Sequence, residues 1–88
     1  RQTALHKAAF NDHVKTAFYL LKEANARIDS HDAHNMTPLH YAAYRGNLAS
    51  LRLLIKYSPS IDPLSKQGNT PLHLASATGN YSCVLTLV

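Results

Sequence analysis

What this chain of 88 residues lacks narrows it first. It holds one cysteine, Cys83, so no internal disulfide can form, and a reducing, intracellular setting (cytoplasm or nucleus) is expected. Cys83 lies among apolar residues on a predicted helix and reads as a small core side chain, not a reactive thiol. No stretch is long and apolar enough to span a membrane as a helix. The start shows neither a secretory pattern nor Met, so Arg1 reads as a fragment boundary or a processed end. The three glycines, Gly46, Gly68 and Gly79, are too far apart to build a phosphate-binding loop. Five acidic residues stand against nine basic ones, a net charge of +4. The basic residues are scattered (Arg1, Lys7, Lys15, Lys22, Arg27, Arg45, Arg52, Lys56, Lys66) and form no stripe with interleaved aromatics. They read as a solvated surface, and no nucleic-acid partner is expected.

Six histidines raise the question of a metal. His31 and His34 share one loop with Asp29 and Asp32, but no cluster completes a four-ligand set, and neither metal nor cofactor is expected. The serines occur in no nucleophile motif, and Asp62-Pro63 reads as a turn. Catalysis within these residues is therefore not expected, which leaves open an enzyme domain elsewhere on a longer chain.

What is present is repetition. Thr-Pro-Leu-His occurs at 37–40 and 70–73, and Thr-Ala-Leu-His at 3–6, at spacings of 34 and 33 residues. A period in this range marks stacked structural repeats. In register, the copies open on Arg1-Gln2-Thr3, Asn35-Met36-Thr37 and Gly68-Asn69-Thr70. Gly and Asn suit a left-handed turn before the Thr, whose hydroxyl can cap a helix. Pro38 and Pro71 follow at the first helical position, where a missing N–H costs nothing, and Ala4 replaces Pro in the first copy. The helix body contains paired small residues, Ala8-Ala9, Ala42-Ala43 and Ala75-Ser76, which permit close approach of a neighbour. It ends near Asp12, Gly46 and Gly79, with Asp12 the poorest of the three at that left-handed position.

A second helix follows in each copy. Its apolar positions are Val14, Ala17, Leu20 and Leu21, then Leu48, Leu51, Leu54 and Ile55, then Tyr81, Val84, Leu87 and Val88. That spacing forms one helical face. The connecting segments, Glu23 to Met36 and Tyr57 to Asn69, are rich in turn formers such as Pro59 and Pro63. The first is one residue longer, an insertion assigned to Ala24-Asn25-Ala26.

These residues resemble ankyrin repeats: Gly-x-Thr-Pro-Leu-His-x-Ala-Ala, then Gly, then an apolar second helix. The resemblance covers nearly the whole chain. A tetratricopeptide array has a similar period, but its Trp, Tyr and Pro marks are absent. The resemblance implies an all-α solenoid of stacked helix-turn-helix units with projecting hairpin-like loops. It divides residues 1–88 into repeats of about 1–34, 35–67 and 68–88, read as a fragment of a longer array. It also implies that His6, His40 and His73, with Thr3, Thr37 and Thr70 and the prolines Pro38 and Pro71, are structural. The first copy, without the glycines or the proline, is expected to be loose or to act as a cap. Leu72, Val84, Leu87 and Val88 are expected to leave bare apolar surface, to be covered by a further repeat or a neighbouring domain.

The family implies protein binding on the finger tips and on the concave face of the first helices. By position, the helix stripe is Phe10 and Asn11, Tyr44 and Arg45, Ala77 and Thr78; the finger stripe is Gln2, then Ala33, His34 and Met36, then Lys66, Gln67 and Asn69. Phe10, Tyr44 and Arg45 stand out, because aromatic and Arg side chains dominate interface hot spots. Packing of Phe10 and Tyr44 against a neighbouring loop is the alternative. Tyr41 is expected to be half-buried packing. Phe18, Arg52 and Leu85 align on the second helix and could form a convex contact. Two functions follow: a scaffold or adaptor module that docks a protein partner, or a regulatory or spacer segment packed against another domain of a larger enzyme, channel or adaptor.

Overall fold

A computed structural model describes residues 2–24, 27–58 and 63–88. Arg1, Asn25, Ala26, Pro59, Ser60, Ile61 and Asp62 lie outside the described residues, and with them most of the proposed insertion and the Asp62-Pro63 turn. Among the described residues six helices follow in order: α1 Ala4–Phe10, α2 Val14–Lys22, α3 Pro38–Arg45, α4 Leu48–Tyr57, α5 Pro71–Ala77 and α6 Tyr81–Leu87. They form two rows. Helices α1, α3 and α5 pack side by side, α2, α4 and α6 form the second row, and each pair joined by a tight turn also packs together.

The first row starts in the same way three times. Thr3, Thr37 and Thr70 have extended backbones, and their hydroxyls accept the backbone N–H of His6, His40 and His73. The imidazole reciprocates: Nδ1 accepts the Thr backbone N–H at 3.1, 3.0 and 3.0 Å. This is a reciprocal capping box with His in the place more often filled by Glu or Gln. Ala4 therefore starts its helix as Pro38 and Pro71 do, and the first helix of the first repeat is well formed.

The row also ends uniformly. Asp12, Gly46 and Gly79 adopt left-handed φ values of 57°, 70° and 73°. The next N–H, from His13, Asn47 and Asn80, closes on the carbonyl of Ala8, Ala42 and Ala75 at 2.9 Å in each case. This is the Schellman closure. Asp12 tolerates its backbone and also serves the second row, where its Oδ1 accepts the hydroxyl of buried Ser50 at 2.6 Å.

The core runs between the rows. It comprises Leu5, Ala8, Ala9, Ala17, Leu21, Leu39, Ala42, Ala43, Leu51, Leu54, Ala75, Cys83 and Leu87. The alanine pairs are fully buried, which lets neighbouring first-row helices meet closely. Cys83 fills a core site, and burial pushes its thiol pKa up. One expectation fails here. Leu87 is not bare but 4% exposed, because α6 turns that face toward α4 and α5. Leu72 and Val84 are half-buried, while Val88 stays open as expected.

Candidate partner-binding surface

The segments between repeats form the fingers. In each, a chain reversal is closed by a backbone pair: Asp32 N–H to Met36 C=O at 3.1 Å, and Ser65 N–H to Asn69 C=O at 2.9 Å. Asn35 and Gly68 supply the left-handed residue, with φ of 58° and 82°. The Asp32 Oδ1 accepts the N–H of both His34 and Met36 at 2.9 Å; in the next finger the Ser65 hydroxyl accepts from Asn69 N–H at 3.1 Å. The Lys66 N–H donates to the His34 carbonyl at 2.9 Å, so the two fingers are tied to each other.

The histidines then join repeat to repeat. Because Nδ1 is an acceptor in each capping box, the ring proton belongs on Nε2. His6 Nε2–H donates to the Met36 carbonyl at 2.7 Å and His40 Nε2–H to the Asn69 carbonyl at 2.8 Å. Burial lowers the His40 pKa, which keeps the ring in the neutral form this bonding needs. His73 makes the local half of the arrangement with Thr70, and its Nε2 meets no acceptor among the described residues. Met36 and Asn69, both in the expected finger stripe, thus have their carbonyls committed to the repeat junctions and keep only half-exposed side chains.

Two asparagines provide a second tie that sequence reasoning did not assign. Asn47 Nδ2 donates to the carbonyls of Ala9 and Phe10 at 2.8 and 3.0 Å. One repeat later, Asn80 Nδ2 donates to Ala43 and Tyr44, both at 3.1 Å. Each repeat therefore caps the open C-terminal end of the first helix before it. The recurrence of Gly-Asn at 46–47 and 79–80 was the available signal.

A third unassigned feature is a polar latch. The hydroxyl of Tyr41 donates to Asp32 Oδ2 and accepts from Gln2 Nε2 at 3.1 Å. Burial opposes ionisation of Asp32, but the Tyr41 hydroxyl and the Met36 and His34 N–H groups outweigh it, and its pKa falls to about 2. Burial and the same carboxylate raise the Tyr41 pKa. Tyr41 is half-buried as expected, yet it is a hydrogen-bonding residue as well as a packing one.

Tyr41 also meets the helix stripe. The Phe10 ring stands edge-on to it, centroids 5.9 Å apart, and His6 does the same at 5.7 Å. The Arg45 guanidinium carbon lies 4.4 Å from the Phe10 centroid. Phe10 therefore packs against the next helix of its own row, α3, and is half-buried. Tyr44 is 47% exposed, and Asn11, Arg45, Ala77 and Thr78 are exposed. The structure thus brings Phe10, Tyr41 and Arg45 into contact across one repeat junction. Ala33, His34, Lys66 and Gln67 are exposed on the fingers. On the outer row, Phe18 is exposed with the Lys22 ammonium 5.7 Å from its ring centroid, and Arg52 and Leu85 are also exposed. Among the described residues, no three His, Cys, Asp or Glu side chains gather as a metal site would require.

A family model described as ankyrin repeats, in three copies, matches residues 5–88. The chain is 30% identical over 73% of its length to a probable palmitoyltransferase AKR2 of Saccharomyces uvarum, covering 10% of that protein. It is 35% identical over 74% of its length to human SMC5-SMC6 complex localization factor protein 1, covering 6%. It is 43% identical over 72% of its length to the mouse nuclear factor NF-kappa-B p105 subunit, again covering 6%. The chain therefore spans a tenth or less of the length of these relatives. With three matched repeats, six helices in two rows and the Thr–His bonding at the start of every first helix, the chain belongs to the ankyrin-repeat family.

Proposed function

We propose that this chain is a non-enzymatic module that docks a protein partner on the concave face of its first-row helices and fingers. Ankyrin repeats are generally protein-interaction modules. The observation that carries the reading is the cluster at the α1–α3 junction. Phe10, Arg45 and Tyr44 present aromatic and guanidinium surface from two repeats at once, and Arg45 is held over the Phe10 ring. Side chains already ordered in this way lose little entropy on binding, which suits a hot spot. The flanking repeats extend the surface through Asn11, Ala77 and Thr78, and the fingers through Ala33, His34, Met36, Lys66, Gln67 and Asn69. Its division into repeats of about 1–34, 35–67 and 68–88, and an intracellular setting, belong to the same proposal.

A quantitative pull-down tests it. The native chain is compared with Tyr44→Ala/Arg45→Gln and, as a control on the other row, Phe18→Ala/Leu85→Ala. Loss of specific partners only in the Tyr44/Arg45 variant, with an unchanged circular dichroism melt, is the expected result. Equal recovery by both variants removes the concave face from consideration.

A second reading is favoured by the outer row. Tyr81 and Leu85, one turn apart on α6, are 76% and 79% exposed and place two large apolar side chains on the outer row. A spacer or regulatory role, with the outer row packed against another domain of a larger protein, accounts for that face. Under this reading Leu85→Ser alters assembly of the parent protein, and Tyr44→Ala does not.

A further inference from the structure

The partner's chemistry can be taken further, on the footing that the first-row face binds protein. On α1, Lys7, Phe10 and Asn11 follow the i, i+3, i+4 rule for one helical face; on α3 the same rule groups Tyr41, Tyr44 and Arg45; on α5 it groups Leu74, Ala77 and Thr78. The ring contacts between Phe10, Tyr41 and Arg45 show that the first two faces adjoin. The charges on this continuous surface have one sign. Helices α1, α3 and α5 contain Lys7 and Arg45 and not one Asp or Glu.

The described carboxylates are occupied or stand elsewhere. Asp32 is buried and bonded to Tyr41, Asp12 holds the Ser50 hydroxyl, and Asp29 pairs with Arg27 at 3.5 Å. Glu23 closes α2 in the other row. Arg45 thus has no carboxylate partner among the described residues; its guanidinium lies over the Phe10 ring, and the residue is exposed. An exposed planar donor fork held over an aromatic ring is set up to take a carboxylate. Beyond it, α5 and its C-cap offer on this face only small or apolar side chains, Leu74, Ala77 and Thr78.

We propose that the docked segment is an acidic peptide, seated with a carboxylate on the free edge of Arg45, a second acidic group near Lys7, and apolar side chains across Tyr44 and α5. Lys7 and Arg45 on the helices, with Lys66 on a finger, are too few to follow a nucleic-acid backbone, whose binding is built from many phosphate contacts.

The test is a selection from a random peptide library displayed on phage, run against the native chain, followed by fluorescence anisotropy on the peptides recovered. Enrichment of Asp and Glu is expected. Replacing those residues by Asn and Gln should weaken binding to the native chain about tenfold, the scale of one charge-assisted hydrogen bond. On a Lys7→Gln/Arg45→Gln chain the same replacement should change binding less than about twofold, since both pairs are already broken. Peptides that need Tyr44 but show no acidic enrichment, or that bind equally well when neutralised, overturn the acidic partner and leave the binding face standing. If no recovered peptide loses affinity on Tyr44→Ala, the binding face fails with it. A single-stranded oligonucleotide binding as tightly as the peptides at physiological salt overturns the proposal in favour of a polyanion site.

Discussion

Gly46 and Gly79 hold the same place one repeat apart, with left-handed φ of +70° and +73°, but their surroundings differ. A Cβ added at Gly46 would lie 2.6 Å from Oδ1 of Asn80, whereas at Gly79 nothing comes within 4 Å. The backbone cost of alanine in this conformation is shared, about 1 kcal/mol at each site. At Gly46 the Asn80 amide must also swing away and surrender its bonds to the Ala43 and Tyr44 carbonyls. At about 1 kcal/mol per bond, that adds about 2 kcal/mol. Gly46→Ala should therefore cost about 3 kcal/mol and Gly79→Ala about 1 kcal/mol. Urea unfolding followed by circular dichroism measures both, with an osmolyte present if the variant is marginal. A double-mutant cycle isolates the cause: in an Asn80→Ala background, Gly46→Ala should cost only its backbone share of about 1 kcal/mol. Equal losses at the two glycines, or additive losses in the cycle, would refute the claim that Asn80 is the tie between the second and third repeats.

Two further outcomes concern pH. The Asp32 pKa is lowered from 3.8 to about 2, so its ionised form stabilises the fold above pH 4, and that stability is lost as pH falls toward 2. The difference between native chain and Asp32→Asn in unfolding free energy, measured by urea, should narrow by about 2 kcal/mol across that window; a gap that stays constant with pH rules this out. His40 has a folded pKa pushed below 6.5 by burial, so the unfolded chain binds the proton more readily. Stability should be full above that value and decline as pH drops beneath it, less steeply in His40→Asn. Nitrogen chemical shifts of the ring check the underlying tautomer, and a protonated Nδ1 in the folded state at neutral pH contradicts the bonding described.

Much of the fold is legible because its signals act over a few residues. Thr37 and Thr70 before proline mark helix starts, and Asp12, Gly46 and Gly79 mark the stops; all sit where expected, with the caps and left-handed backbones those residue types favour. The first copy is harder to judge. Without its glycines and proline it reads as loose or as a cap, but the Thr3–His6 capping box and the Asp12–Ser50 bond support its first helix. Leu87 reads as bare because its apolar neighbours do, and only the angle of α6 against α4 and α5 reveals that it turns inward while Leu85 turns out. The candidate surface is legible as a stripe of equivalent positions. That Arg45 of one repeat lies over Phe10 of the one before, and that Tyr41 clasps Asp32 of the finger, is not.

The boundary between these two kinds of knowledge is physical. Residue order alone establishes the repeated unit: its period, the start and stop of each helix, the apolar face of its second helix and the threonine that caps its first. Each rests on the conformational preference of a residue or on a bond between residues three to five apart. How one unit meets the next is settled in three dimensions. Asn47 reaches Ala9 and Phe10, Asn80 reaches Ala43 and Tyr44, and His6 reaches Met36, over separations of 30 to 38 residues. Those pairings depend on the offset and rotation between stacked units, which no single unit specifies, because they are fixed only when two alanine-lined faces pack together and every buried donor must find an acceptor.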